Sequence, residues 1–168
     1  MNLNRYHVLT TLFILSLSIC AGQVIALADD KDQPINVSAD KARKNDKQGL
    51  TVYQGDVVIT QGSIRITGEI ISIYDTAGTV DKIVATGKPA KFKQQPEPQS
   101  EYIIANGSTI EYDVKAESLL LLENALLLQE GNTTNSNKII YDMKTAVVNA
   151  GDEKGRVIMT LKPSPTNP

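Results

Sequence analysis

The residues best suited to chemistry in this chain are four aspartates, Asp75, Asp81, Asp113 and Asp142. Carboxylates of this kind can work as general acids or bases, or hold a hard cation. Their neighbours point to a simpler role. Asp75, Asp113 and Asp142 each follow a tyrosine (Tyr74, Tyr112, Tyr141) at the end of an apolar run, where aspartate caps the backbone of a turn. Arg65, Lys88 and Lys91 have the charge to meet phosphate, but as scattered cations they read as solvated surface. Beyond residue 28 there is no His, Cys or Trp. That removes the usual zinc sites and the Cys–His and Ser–His nucleophile arrangements. With no paired acidic motif and no aromatic platform, a glycan-acting enzyme is also disfavoured. No catalytic residue, metal or cofactor is expected.

The first 28 residues read as a leader and not as part of the fold. Arg5 supplies a positive start, Val8 to Ile19 is an apolar run of twelve residues, and Ala26-Leu27-Ala28 fits a small-x-small cleavage site. The run is short for a membrane span, and Ile19 sits where a small residue should precede a lipidated Cys20. The expected organisation is a cleaved secretory signal peptide over 1–28, one domain over 29–162 and a flexible tail over 163–168. The mature part carries sixteen Lys and Arg against nineteen Asp and Glu, a net charge of −3. An acidic chain without a basic stripe argues against a nucleic-acid partner.

Period-2 alternation with glycine at the corners dominates the chain from residue 35 onward. In VYQGDVVITQGSIRIT, Val57 and Ile59 share one face of a run ending at Gly62, and Ile64 and Ile66 share one face of the next. The pattern predicts short strands at 35–39, 56–61, 63–67, 69–74, 80–86, 90–93, 101–105, 108–114, 118–123, 125–129, 138–141, 146–149 and 156–161. Asp40 to Gln48 reads as a polar loop or helical turn, Gln94 to Ser100 (with Pro96 and Pro98) as a loop, and Glu130 to Asn137 as another. Asp29 to Asp32 reads as a frayed terminus. The leucine-rich stretch from Ser118 to Leu128 has the propensity for a helix, but the strand signals on both sides favour two strands broken at Glu123-Asn124.

Weak repeats support the all-β reading. Gly68-x-x-Ile71-x-x-Tyr74-Asp75 resembles Gly107-x-x-Ile110-x-Tyr112-Asp113, and Gly55 to Gly62 is echoed by Asn124 to Gly131. The spacing is too irregular for a strict solenoid. The candidate core is almost wholly Ile, Val and Leu, with Phe92 the only phenylalanine after the leader. Such a lining suits ordinary packing and equally suits a trough for acyl chains; composition does not separate the two.

Four elements in order, Asp32-Gln33-Pro34-Ile35, Gly55 to Ile66, Gly87-Lys88-Pro89-Ala90-Lys91-Phe92, and Asn124-Ala125 to Gln129 with Ile139-Ile140-Tyr141, resemble the OstA-like family of periplasmic lipopolysaccharide-transport bridge proteins. The resemblance covers essentially the whole mature chain. It implies an all-β fold, a slightly open, twisted β-jelly roll of many short antiparallel strands. It further implies a carrier that holds the lipid A part of lipopolysaccharide in an apolar groove. Such carriers associate head to tail and join an inner-membrane LptC-like protein to the N-terminal domain of an outer-membrane LptD-like protein. On the family pattern Ile35, Val37, Phe92 and Tyr112 line the lipid path. Alternation adds Val57, Ile59, Ile64, Ile66, Leu126 and Leu128 as inward-facing. The alternatives are an adaptor that joins partners by strand addition without lipid, and an LptC-like subunit of the same system. The sequons at Asn36, Asn106 and Asn132 matter only in a eukaryotic secretory route.

Overall fold

The computed structural model describes residues 30–153 and 155–163. The expected leader, its cleavage point, Asp29 and the tail over 164–168 lie outside the described residues. After a 3-10 turn at Asp30–Asp32 come ten strands: β1 (Asn36–Ser38), β2 (Lys41–Asn45), β3 (Leu50–Gln61), β4 (Ile64–Thr76), β5 (Thr79–Gln94), β6 (Ile103–Asp113), β7 (Ser118–Gln129), β8 (Asn132–Asp142), β9 (Val147–Ala150) and β10 (Ile158–Thr160). They form one antiparallel sheet in the order β1-β3-β4-β5-β6-β7-β8-β10, with β2 also paired to β3 and β9 to β8. The two ends of this path do not meet. The fold is an all-β, unclosed jelly roll.

The strands are longer than the glycine punctuation suggests. β3 to β8 run 11 to 16 residues each, because features that read as strand ends are bends inside strands. Gly55-Asp56 lies within β3, Gly68 within β4, Gly87-Lys88-Pro89 within β5, Gly107 within β6 and Glu123-Asn124 within β7. At each of them the pairing register slips. A bulge inserts unpaired residues and bends its strand, so bulges aligned on neighbouring strands crease the whole sheet. Gly55 and Asp56 reach this geometry with φ of 82° and 42°, Glu123 and Asn124 with 59° and 54°. At Gly68 a Cβ would stand 2.8 Å from the Thr86 carbonyl oxygen, so the crease closes there only with glycine.

The crease divides the sheet into two facing layers. The first holds β1, β10 and segments 57–61, 64–67, 90–94, 103–106, 125–129 and 132–136; the second holds β2, β9 and segments 50–54, 70–76, 79–86, 109–113, 118–122 and 138–142. Their inner faces meet in one core. Phe92 of the first layer lies against Tyr112 of the second, with ring centroids 5.8 Å apart and planes tilted by 59°, a favourable aromatic geometry. Around this pair are Ile59, Ile64, Ile66, Ile71, Ile83, Ile110, Leu119, Leu121 and Leu127, all at most 2 % exposed. Each such side chain contributes about 1.5–3 kcal/mol by leaving water.

Two polar stretches expected as loops belong to the sheet. Lys41–Asn45 pairs with β3, and β8 already begins at Asn132. In β8 it is Thr134 and Ser136 that face inward, at 4 % and 8 % exposure, a short polar patch that hides the strand from a hydrophobic pattern. The aspartates do turn work. Asp75 Oδ1 accepts from the Gly78 amide at 3.2 Å, Asp113 Oδ1 from Ala116 at 2.7 Å and Asp142 Oδ1 from Thr145 at 2.9 Å. Asp81 accepts from the Thr76 hydroxyl at 2.6 Å.

Candidate functional site

The feature best suited to a ligand is the interior between the layers, an aliphatic column running across the strands. Eight strands at about 4.8 Å spacing make it roughly 34 Å long. Its middle is filled by the protein's own side chains. Val57, Ile59, Ile64, Ile66, Phe92 and Tyr112 lie in this part, each 0–2 % exposed. Toward its ends the column is less covered. Ile35, Val37, Ala39, Tyr53 and Val80 are only partly buried at the β1–β2 end, as are Val114, Met143, Val148 and Ala150 at the rim turns and β9. At the β1–β2 end a depression of about 250 Å³ opens between Ile35, Val37, Tyr53, Ile73 and Val80, with Lys44 and Asp75 at its lip. Among the described residues no three His, Cys, Asp or Glu side chains come together as a metal site.

Leu126 and Leu128 do not face inward. They are half-buried on the outer face, while Ala125 and Leu127 are interior at 2 % and 1 % exposure. The cause is the phase of the bulge. The left-handed pair in β3 is Gly55-Asp56, and its counterpart in β7 is Glu123-Asn124. Asn124 therefore corresponds to Asp56, one residue off the match to Gly55 that the repeat suggests, and Ala125 and Leu127 take the places of Val57 and Ile59. With leucines at 119–122 and 126–128, both faces are apolar and alternation gives no phase. Arg65, Lys88 and Lys91 are exposed on the outside.

The expected frayed terminus is instead a clasp. Asp30 accepts from the Ser63 amide at 2.6 Å, the Ser63 hydroxyl at 2.7 Å and the Gln94 amide group at 3.0 Å. Gln61, 4 % exposed, donates to the Lys31 and Gln33 carbonyls at 3.0 and 3.1 Å. Ser63 and Gln94 sit on the rim of the first layer, at the strand ends away from the crease. Sequence patterning misses these residues because a single Asp bonding a turn thirty residues away has no periodicity.

The perturbed acid groups sit at the end of β8. Burial holds the Tyr141 phenol above its ordinary value, helped by the charges of Glu130 and Asp142. The Thr145 amide holds the Asp142 carboxyl below its ordinary value, with Lys144 adding to the effect.

The edges complete the site. On one side β1 pairs only with β3 among the described residues; on the other, β10 is exposed, with Val157, Ile158, Met159 and Leu161 at 40 %, 62 %, 55 % and 67 %. A free strand edge with apolar side chains is a template for another strand.

An open, creased antiparallel sheet folded around an aliphatic column defines the class of unclosed β-jelly rolls, and the sequence places the chain in one family of that class. Residues 36–147 match the family described as LptA/(LptD N-terminal domain) LPS transport protein, and the chain belongs to that family. It is 39 % identical to the lipopolysaccharide export system protein LptH of Pseudomonas aeruginosa over 158 residues, 94 % of this chain and 90 % of that one. It is 32 % identical to the lipopolysaccharide export system protein LptA of Haemophilus influenzae (91 % of both chains), and 29 % identical to LptA of Escherichia coli K12 (88 % and 82 %). The crystal structure of Pseudomonas aeruginosa LptH, titled a periplasmic component of the lipopolysaccharide transport device, superposes with a TM-score of 0.76 at 38 % identity, covering 81 % of this chain and all of that one.

Proposed function

We propose that this chain is a periplasmic carrier of lipopolysaccharide that takes the acyl chains of lipid A between its two layers and passes them along a head-to-tail array of copies. The observation that carries the reading is one aliphatic column, partly uncovered at the β1–β2 end, between sheet edges that do not pair with each other. Acyl chains need apolar area more than directed hydrogen bonds, and the column supplies it. Repeated contact of unlike edges generates an open row of molecules and not a closed ring. The array joins an LptC-like protein of the inner membrane to the N-terminal domain of an LptD-like protein of the outer membrane. The names of the relatives and the family description support lipopolysaccharide transport. The domain over 29–162 works after removal of the leader, and the reading needs no catalytic residue. Ile35, Val37, Val57, Ile59, Ile64, Ile66, Phe92 and Tyr112, joined by Leu127, are the proposed lipid contacts.

The test is extraction of lipid from the purified protein, followed by titration with lipopolysaccharide. Copurifying acylated sugar and saturable binding are expected, and Ile35→Asp should weaken binding with the fold intact. A protein that carries no lipid and ignores added lipopolysaccharide would leave only an adaptor role.

A further inference from the structure

The middle of the column is closed by its own side chains, so acyl chains reach it from the side only if the rims of the two layers part. The clasp spans those rims. On the first layer it is held firmly: the Asp30 carboxylate takes three hydrogen bonds from Ser63 and Gln94, and Gln61 donates to the Lys31 and Gln33 carbonyls. Hydrogen bonds to an ionised acceptor are the strong kind. On the second layer the hold is slight. Lys31 Nζ reaches Glu117 Oε1 at 3.5 Å, with side chains 44 % and 23 % exposed, an ion pair of the weak surface type.

Glu117 lies in the β6–β7 turn on the second layer's rim. It is also met from the far side by Lys144 at 3.4 Å, whose ammonium donates to the Lys115 carbonyl as well. Releasing Lys31 therefore does not strand Glu117 without a counter-charge, and opening on this side is cheap. Val114 and Met143, partly buried against the core, lie beside the same turn, and the Met143 amide donates to the Glu117 carbonyl at 2.9 Å.

The geometry points to a gate: Asp30 with Ser63 and Gln94 is the hinge, and the Lys31–Glu117 pair is the latch that admits acyl chains from the side. This rests on the lipid-carrier reading above and deepens it by naming the residues that set the rate of entry. The latch acts on the closed state, so breaking it speeds entry whichever partner is neutralised. Charge attraction to an anionic lipid acts otherwise: losing Lys31 would slow entry and losing Glu117 would speed it.

Stopped-flow association of fluorescently labelled lipopolysaccharide with the processed protein separates the two. Lys31→Gln and Glu117→Gln are both expected to raise the association rate at least about threefold. Opposite effects, or no change in either, would overturn the gate. A second measurement needs no lipid. Spin labels at Asp32→Cys and Lys115→Cys in the processed protein, whose sequence beyond residue 28 has no cysteine of its own, report the span from clasp to turn. Glu117→Gln should broaden that distance distribution while the Ser63 amide stays protected from hydrogen exchange; an unchanged, narrow distribution overturns the latch. If the wild-type protein binds no lipopolysaccharide, the carrier reading fails, and the spin-label distances still decide the latch.

Discussion

The sheet has four terminal strands, and they are not built alike. β2, an edge of the second layer, reads Lys-Ala-Arg-Lys-Asn and is exposed over four of its five residues. Charge of this density blunts an edge against strand addition. β10, an edge of the first layer, reads Ile-Met-Thr and is exposed throughout, with Val157 and Leu161 on either side. It carries no charge. β1 turns Asn36 and Ser38 outward and Val37 toward the core, and β9 is shielded only in part. On this asymmetry, copies should meet through the first layer, β10 against β1, with the second layer kept out of the contact.

That contrast holds only if edges and interior are separable, and a core truncation tests this most severely. Leu127→Ala should destabilise the fold by about 2–5 kcal/mol, because it empties a fully buried site. Leu128→Ala, one residue on but outside, should cost less than about 1 kcal/mol. Denaturant unfolding of the two variants checks it, and the reverse order would mean that the bulge phase in β7 is misassigned. Next in size is the edge itself. Met159→Pro should weaken self-association about tenfold, roughly 1.4 kcal/mol, whereas Arg43→Pro on the charged edge should leave it unchanged. Sedimentation velocity over a concentration series reads both, and equal losses would erase the distinction between the edges.

Smaller effects come from the end of β8. The Tyr141 acid constant is raised in the folded state, so its stabilising contribution is complete below the ordinary value of 10.0 and is lost as pH rises through the raised one. Tyr141→Phe should flatten the alkaline limb of a melting-temperature profile above about pH 10. The Asp142 constant is lowered, so its contribution is present above the ordinary 3.8 and is lost as pH falls through the lowered value. Asp142→Asn should make the acid limb shallower, by the smallest margin of the series because the group is solvent-exposed.

Much of this architecture was readable from residue order. Ile64 and Ile66, or Val57 and Ile59, alternate cleanly because one face is buried and the other wet, and the Tyr-Asp pairs mark turns because aspartate bonds the backbone just ahead of it. What was hidden had physical reasons. A glycine that ends a strand and a glycine that creases one look the same locally; only pairing across five strands reveals the crease. β8 begins with Asn132-Thr133-Thr134, and its inward hydroxyls, those of Thr134 and Ser136, read as loop. In β7, leucine on both faces removed the phase, so Leu126 and Leu128 were misplaced by one residue. The clasp needed Asp30 to find Ser63 across the fold, which no local pattern encodes.

Carriage between the layers is decided by where lipid sits. A photocrosslinking residue placed at Ile35, at Phe92, and on the outer face at Leu128 and Ile140 addresses that in one experiment with native lipopolysaccharide. Adducts from Ile35 and Phe92, with none from Leu128 or Ile140, are the predicted result. Adducts only from the outer positions, or equally from all four, would contradict carriage between the layers.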